Sequence, residues 1–196
     1  MGNIHSRSRS RRSSDSENAF PDIKITLVGN AEVGKSCIAI KILGYNSFIE
    51  DYDPTLEEAY RFSFTYNGRV YETELFDTGG SEEYRNDVMF NSYYRRSTHV
   101  LIVYDVTSNE DFEKYILSYI SKIRKIKENM QIIVICNKID KEQWITPKED
   151  IERIVHNMNI PVIFTSAKTG ENTNDIIECI KETMPNIIKT EICYYP

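Results

Sequence analysis

The chain has 196 residues, 40% of them apolar, with 24 Lys and Arg against 30 Asp and Glu and a net charge of −6 at pH 7. That is enough chain for one hydrophobic core with tails, and no apolar stretch approaches the roughly 18 residues of a membrane-spanning helix. The 4 cysteines lack metal-ligand spacing and no secretory leader is visible, so a reducing, cytosolic compartment is expected and a disulfide scaffold is not.

Residues 1–21 read as a disordered basic arm. Met1-Gly2-Asn3-Ile4-His5-Ser6 fits the M-G-x-x-x-[ST] pattern for N-myristoylation at Gly2. Arg7, Arg9, Arg11 and Arg12 follow with no acid through residue 12, whereas residues 20–196 hold a net charge of −8. One acyl chain binds a bilayer only marginally, and a polybasic segment supplies the second signal. The arm, not the domain, is therefore expected to meet anionic lipid on a cytoplasmic face, at the plasma membrane or an endomembrane. Serines interleave with the arginines, and Arg11-Arg12-Ser13-Ser14 would suit a kinase preferring upstream arginine. Phosphate there would cancel the attraction. The competing readings are an inert solvated arm and a nuclear or RNA-binding Arg/Ser tract; nucleic acid is not expected as a partner.

The domain is expected over 22–184. The apolar run 23–28 reads as a strand and leads straight into Gly29-Asn30-Ala31-Glu32-Val33-Gly34-Lys35-Ser36, the pattern G-x-x-x-x-G-K-S. Glycines at 29 and 34 let the backbone aim its N–H groups at an anion. Lys35 can reach the β- and γ-phosphates of a nucleotide, and the Ser36 hydroxyl can ligate Mg²⁺. A helix over 35–43, with Cys37 in its first turn, adds its positive dipole end.

Strands over 59–66 and 69–76 flank Asn67-Gly68, a strong hairpin signal, so these two pair antiparallel. At the end of the second stands Asp77-Thr78-Gly79-Gly80. A carboxylate there can hold Mg²⁺ through water, and the Gly80 N–H can sense a γ-phosphate. A helix is predicted over 82–96, a strand over 99–105 and a helix over 110–127. Phe112, Ile116, Tyr119, Ile120 and Ile123 make that last helix's core stripe.

The run 131–136 is long and apolar enough for a buried parallel strand. It ends on Asn137-Lys138-Ile139-Asp140, where the Asp140 carboxylate can accept from guanine N1–H and N2–H₂, donors that adenine lacks on that edge. The Lys138 stem can cover one face of the base. Thr146-Pro147-Lys148-Glu149 reads as a capping box for a helix over 147–157, with Ile151, Ile154, Val155 and Met158 on its inner face. A strand over 161–165 ends in Thr165-Ser166-Ala167-Lys168, where the Ala167 N–H could meet guanine O6. A helix over 173–184 closes the domain at Pro185, leaving 185–196 as a tail.

Alternating strands and helices imply an α/β fold: a six-stranded, mostly parallel sheet with one antiparallel hairpin edge and helices on both faces. Every motif falls on a strand's C-terminal end, where ligands bind in open α/β sheets.

With these four motifs in this order, residues 22–184 resemble the Ras superfamily of small GTPases. The segment Phe48-Ile-Glu-Asp-Tyr-Asp-Pro-Thr-Leu-Glu-Glu-Ala-Tyr60 looks like switch I of the Ras/Rap branch, and Tyr104-Asp-Val-Thr-Ser-Asn-Glu-Asp-Phe-Glu113 is shared with Rab-like members. The resemblance implies the P-loop NTPase fold, GTP and GDP as ligands, Mg²⁺ as cofactor and GTP hydrolysis. It implies that Thr55 ligates Mg²⁺ and contacts the γ-phosphate, that Phe48 packs against the base and that Tyr52 closes over the phosphates. Exchange factors, GTPase-activating proteins and effectors would dock through 48–60 and 77–96. No roles are assigned to 84–96, where two extra residues lie around Tyr93-Tyr-Arg-Arg96.

The departures bear on mechanism. The glutamine that orients water in the family is Ser81 here, and the small loop glycine is Ala31, whose methyl crowds the path of a partner's arginine. Phosphoryl transfer depends on positioning and charge stabilisation, so both changes point to slow unaided hydrolysis. A GTP-loaded scaffold with negligible turnover is the alternative; a small-molecule kinase is disfavoured because Asp140 selects guanine. The end of the chain, Cys193-Tyr-Tyr-Pro196, departs from the prenylated Cys-a-a-X of many relatives, which moves the expected lipid anchor to the front.

Overall fold

The computed structural model describes residues 22–45, 57–79 and 87–192, with side chains described except at 57, 87–90 and 185–192. The basic arm with Gly2, the switch positions Phe48, Tyr52, Thr55, Gly80 and Ser81, and Cys193 lie outside the described residues.

In chain order the elements are β1 (Ile23–Val28), α1 (Lys35–Ile42), β2 (Glu57–Tyr66), β3 (Arg69–Thr78), α2 (Asp87–Arg96), β4 (His99–Asp105), α3 (Phe112–Ile126), β5 (Gln131–Asn137), α4 (Lys148–Asn157), β6 (Val162–Phe164) and α5 (Asp175–Ile192). One six-stranded sheet runs β2-β3-β1-β4-β5-β6. Every pairing is parallel except β2 with β3, whose register places Tyr66 opposite Arg69. Asn67 and Gly68 take φ of 48° and 76°, the positive values that a two-residue hairpin requires.

Alternation along the central strands divides the core in two. Ile25, Leu27, Leu101, Val103, Ile133 and Ile135 face α1 and α5. Val100, Ile102, Tyr104, Val134 and Cys136 face α3 and α4. All five residues of the expected α3 stripe are buried, joined by Tyr115. On α4, Ile151 and Val155 are buried while Ile154 and Met158 pack at the margin. Among the described residues no helix is long and apolar enough to cross a membrane.

Two local expectations are corrected. The capping box at Thr146 does not form: Pro147 is the N-cap of α4 and no side chain caps it. The Thr146 hydroxyl lies instead 3.5 Å from the Tyr104 hydroxyl, drawn to the loop after β4. The last helix does not stop at Met184; α5 continues through Pro185 to Ile192. Proline removes one backbone donor, and the helix carries past that single missing bond.

The strands' C-terminal ends gather at one edge, where β1 is flanked by β3 and β4 and the strand order reverses. This is the switch point at which an open α/β sheet forms its crevice.

Candidate guanine-nucleotide site

The loop after β1 is built on two glycines. Gly29 has φ 151°, and a Cβ there would lie 2.5 Å from Val103 O; Gly34 has φ 96°, and a Cβ would lie 2.4 Å from Asn137 Nδ2. No side chain could be added at either without moving the neighbours. Gly34 opens α1, which has no side-chain cap, so its first N–H groups face the loop's concavity. Lys35 is 6% exposed. Its ammonium folds back over the loop and donates to Gly29 O (3.1 Å) and Asn30 O (2.8 Å). Ser36 and Cys37 are half-buried in the first turn, Val33 is buried, and Ala31 and Glu32 stand exposed at the tip. Glu32 adopts φ 63°, a left-handed conformation that a non-glycine residue takes at a cost.

Asn30 is tied to α3 by contacts the sequence did not reveal. Its N–H donates to the Tyr115 hydroxyl (3.0 Å), which in turn donates to Val103 O (2.7 Å). Its side-chain oxygen accepts from the Tyr119 hydroxyl (3.1 Å), and its amide donates to both Glu110 carboxylate oxygens (2.7 Å each). Burial pushes the Tyr115 phenol far up, so it remains a neutral donor and acceptor. Tyr119 is a core residue, as its periodicity predicts, but its hydroxyl also reaches the phosphate loop. Only the i, i+4 pair of tyrosines hinted at this.

Asp77, at the end of β3, is fully buried, and among the described residues neither carboxylate oxygen has a hydrogen-bond partner of good geometry. Burial raises its pKa above the usual carboxylate value; the Ser36 hydroxyl and the Lys35 ammonium oppose that shift. An orphaned buried carboxylate beside a serine hydroxyl and a lysine is an incomplete electrostatic arrangement. A hydrated Mg²⁺ would fit it, with Ser36 and Asp77 as the residues that would hold it.

At the other end, Asn137 bridges two loops. Its Nδ2 donates to Val33 O (2.9 Å) in the phosphate loop, while its Oδ1 accepts from the Ala167 N–H (3.0 Å). The Ala167 N–H, expected to meet a purine keto oxygen, is thus occupied by Asn137, and a keto oxygen would share that donor. Lys138 takes φ 68° and pairs with Asp105 Oδ2 at 2.7 Å, which fixes its stem along the crevice. Asp105 is itself held by the N–H and hydroxyl of Thr107. The Ser166 hydroxyl donates to Asp140 Oδ1 (2.7 Å), orienting the half-buried carboxylate. Lys168 is exposed at the rim.

An anion cradle, a cation-ready carboxylate and an oriented acceptor therefore lie along one crevice. A model of the Ras family matches residues 24–186. Ras-like protein 1 of Saccharomyces cerevisiae is 34% identical over 157 residues, 79% of this chain and 50% of the yeast protein. The chain thus spans about half the length of this curated relative. The matched stretch runs from the second residue of β1 into α5 and contains every loop that builds the crevice: the chain belongs to the Ras family.

Proposed function

We propose that the protein binds GTP and GDP with Mg²⁺ and works as a membrane-associated signalling switch that hydrolyses GTP slowly when unaided. The observation that carries this reading is the Asn137 bridge, which fastens the phosphate loop at Val33 to the loop of Ala167 beside Asp140. A ligand long enough to need both ends, with a triphosphate at one and guanine at the other, is what such a bridge serves. Mg²⁺, when bound, offsets negative charge on the β- and γ-phosphates. Lys35 would leave its loop carbonyls for those phosphates, and Asp140 would accept from the guanine edge. Thr55 and Gly80 would be ordered by the γ-phosphate and released after its loss, through switch segments 48–60 and 77–96 that regulators and effectors read.

Slow turnover follows from Ser81. A serine hydroxyl is too short to span attacking water and γ-phosphate together, and Ala31 narrows the approach for an arginine supplied in trans. An arginine of that kind contributes about 10³–10⁵ in rate. Ser81 also favours the second reading, a GTP-loaded scaffold with negligible hydrolysis. Calorimetry in magnesium buffer is expected to give strong heats with GDP and GTP and none with ADP; equal binding of ADP would overturn guanine selection. Single-turnover hydrolysis separates the two readings. A slow release of phosphate that Ser81→Gln accelerates supports the switch, and a rate equal to buffer, with or without lysate, supports the scaffold. Attachment through the acylated arm predicts that Gly2→Ala shifts the protein from the membrane to the soluble fraction.

A further inference from the structure

We propose that the domain carries a second lipid-facing surface of its own: a basic pole, at the ends of α2 and α3, that seats on an anionic bilayer. The inference rests on the membrane reading above and goes beyond it, because that reading gives the lipid contact to the arm alone.

The pole lies at the strands' N-terminal end, opposite the nucleotide crevice. Hydrogen bonds join its parts. Thr98 N donates to Lys24 O (2.8 Å), and Lys127 Nζ donates to Ser97 O (3.0 Å), so the start of β1, the end of α2 and the end of α3 meet there. Arg95 and Arg96 are exposed on the last turn of α2, and Lys122, Arg124 and Lys125 are exposed on the last turns of α3. Among the described residues none of Arg95, Lys122, Arg124 and Lys125 is paired with a carboxylate. Arg124 and Lys125 line an open cleft of about 600 Å³ together with Ser121, Glu128 and Asn129. Glu128 is the carboxylate lining that cleft, on a domain whose net charge is otherwise strongly negative.

Part of this charge answers the negative ends of two helix dipoles. Dipole compensation does not account for Lys122, which precedes the last turn of α3. Two of the exposed large apolar side chains, Tyr45 and Val70, also stand at this end of the sheet. Val70 lies beyond Thr73, the partner of Ile23, and Tyr45 follows α1 as it runs back from the phosphate loop. Cations together with a tyrosine and a valine suit the headgroup layer of a bilayer, which accepts both. The position of the arm points the same way. It joins the domain at Asp22, beside this pole, and carries Arg7, Arg9, Arg11 and Arg12. Arm and pole would meet one surface, leaving the crevice turned toward solvent.

The test uses the full, unacylated chain loaded with GDP and vesicles of phosphatidylcholine with or without phosphatidylserine. Each cation near an anionic surface contributes about fivefold in partitioning. The triple variant Lys122→Ala, Arg124→Ala, Lys125→Ala is expected to lower binding to phosphatidylserine vesicles by tenfold or more while GDP affinity stays unchanged. The arm variant, with Arg7, Arg9, Arg11 and Arg12 replaced by alanine, lowers binding separately. If only the arm variant loses binding, the pole is no lipid surface and the arm reading stands. If neither loses it, both readings fail. Displacement of the wild type from vesicles by duplex RNA, absent in the triple variant, would give the pole to nucleic acid and overturn the proposal.

Discussion

Replacing Asn137 by alanine takes from Val33 O and the Ala167 N–H the side chain that bonds both and ties their two loops together. Each buried group left unsatisfied costs about 1–3 kcal/mol. The variant is expected to release a fluorescent GDP analogue at least tenfold faster than wild type, and an unchanged release rate would show that the bridge does not hold the loops. His99 gives a prediction in pH. It is buried on β4, with Nε2 2.9 Å from the Thr183 hydroxyl and Nδ1 3.0 Å from the Thr98 hydroxyl. Burial, with a smaller contribution from Lys127, lowers its pKa from 6.5 to about 4. The unfolded chain therefore takes up a proton as pH falls below 6.5 while the folded chain does not. Stability is full above that value, declines down to about pH 4 and then levels. Between pH 7 and pH 5 this one group removes about 2 kcal/mol. Urea unfolding at the two pH values, wild type against His99→Gln, should show a smaller pH loss in the variant. Equal losses would mean that His99 titrates normally.

At the scale of elements, α3 acts as a brace for the phosphate loop. The Tyr115 hydroxyl mediates between Asn30 and Val103, and the Tyr119 hydroxyl bonds the Asn30 side chain beside it. A net hydrogen bond contributes about 1 kcal/mol, or about fivefold. Tyr119→Phe should therefore speed GDP release several-fold and Tyr115→Phe more than that, with Leu117→Ala, exposed on the same helix, serving as a control without effect. The reverse order of the two tyrosines would refute the brace. The elements themselves were largely legible. Runs of apolar residues ended within two residues of the strands' ends, Asn67-Gly68 set the hairpin, and the glycines of the phosphate loop marked its turns. What failed was local capping chemistry, which a distant group can override. Thr146 reads as an N-cap until Tyr104, 42 residues away, claims its neighbourhood. Pro185 reads as a stop, yet the helix passes through it.

For the whole molecule, the crevice is assembled from four loops whose cooperation no local pattern records. The motifs at Gly29, Asp77, Asn137 and Ser166 could each be read because each is contiguous. Their ties could not: Asn30 meets Tyr119 across 89 positions and Asn137 meets Val33 across 104. Contacts of that span depend on the strand order, which brings β5 to β4 and β4 to β1. It follows that a bound nucleotide is a cross-link between elements far apart in sequence, and that stability and ligand binding are one linked quantity. The buried Asp77 carboxylate adds to this, since a charge held from water with only the Ser36 hydroxyl and the Lys35 ammonium nearby destabilises the fold until its hydrogen bonding is completed. Ligand at 100 times its Kd stabilises by about 2.7 kcal/mol, and for a domain near this size each kcal/mol moves Tm by roughly 2–4 °C. Saturating GDP with Mg²⁺ should accordingly raise Tm by about 5–10 °C, followed through the single tryptophan, Trp144, which stacks on Phe164 beside the base loop. GDP with a chelator should give a smaller rise, because the hydrogen bonding of Asp77 is again incomplete, and ADP should give none. A Tm that GDP does not move, in protein verified to be free of nucleotide at the start, would separate the crevice from guanine binding altogether.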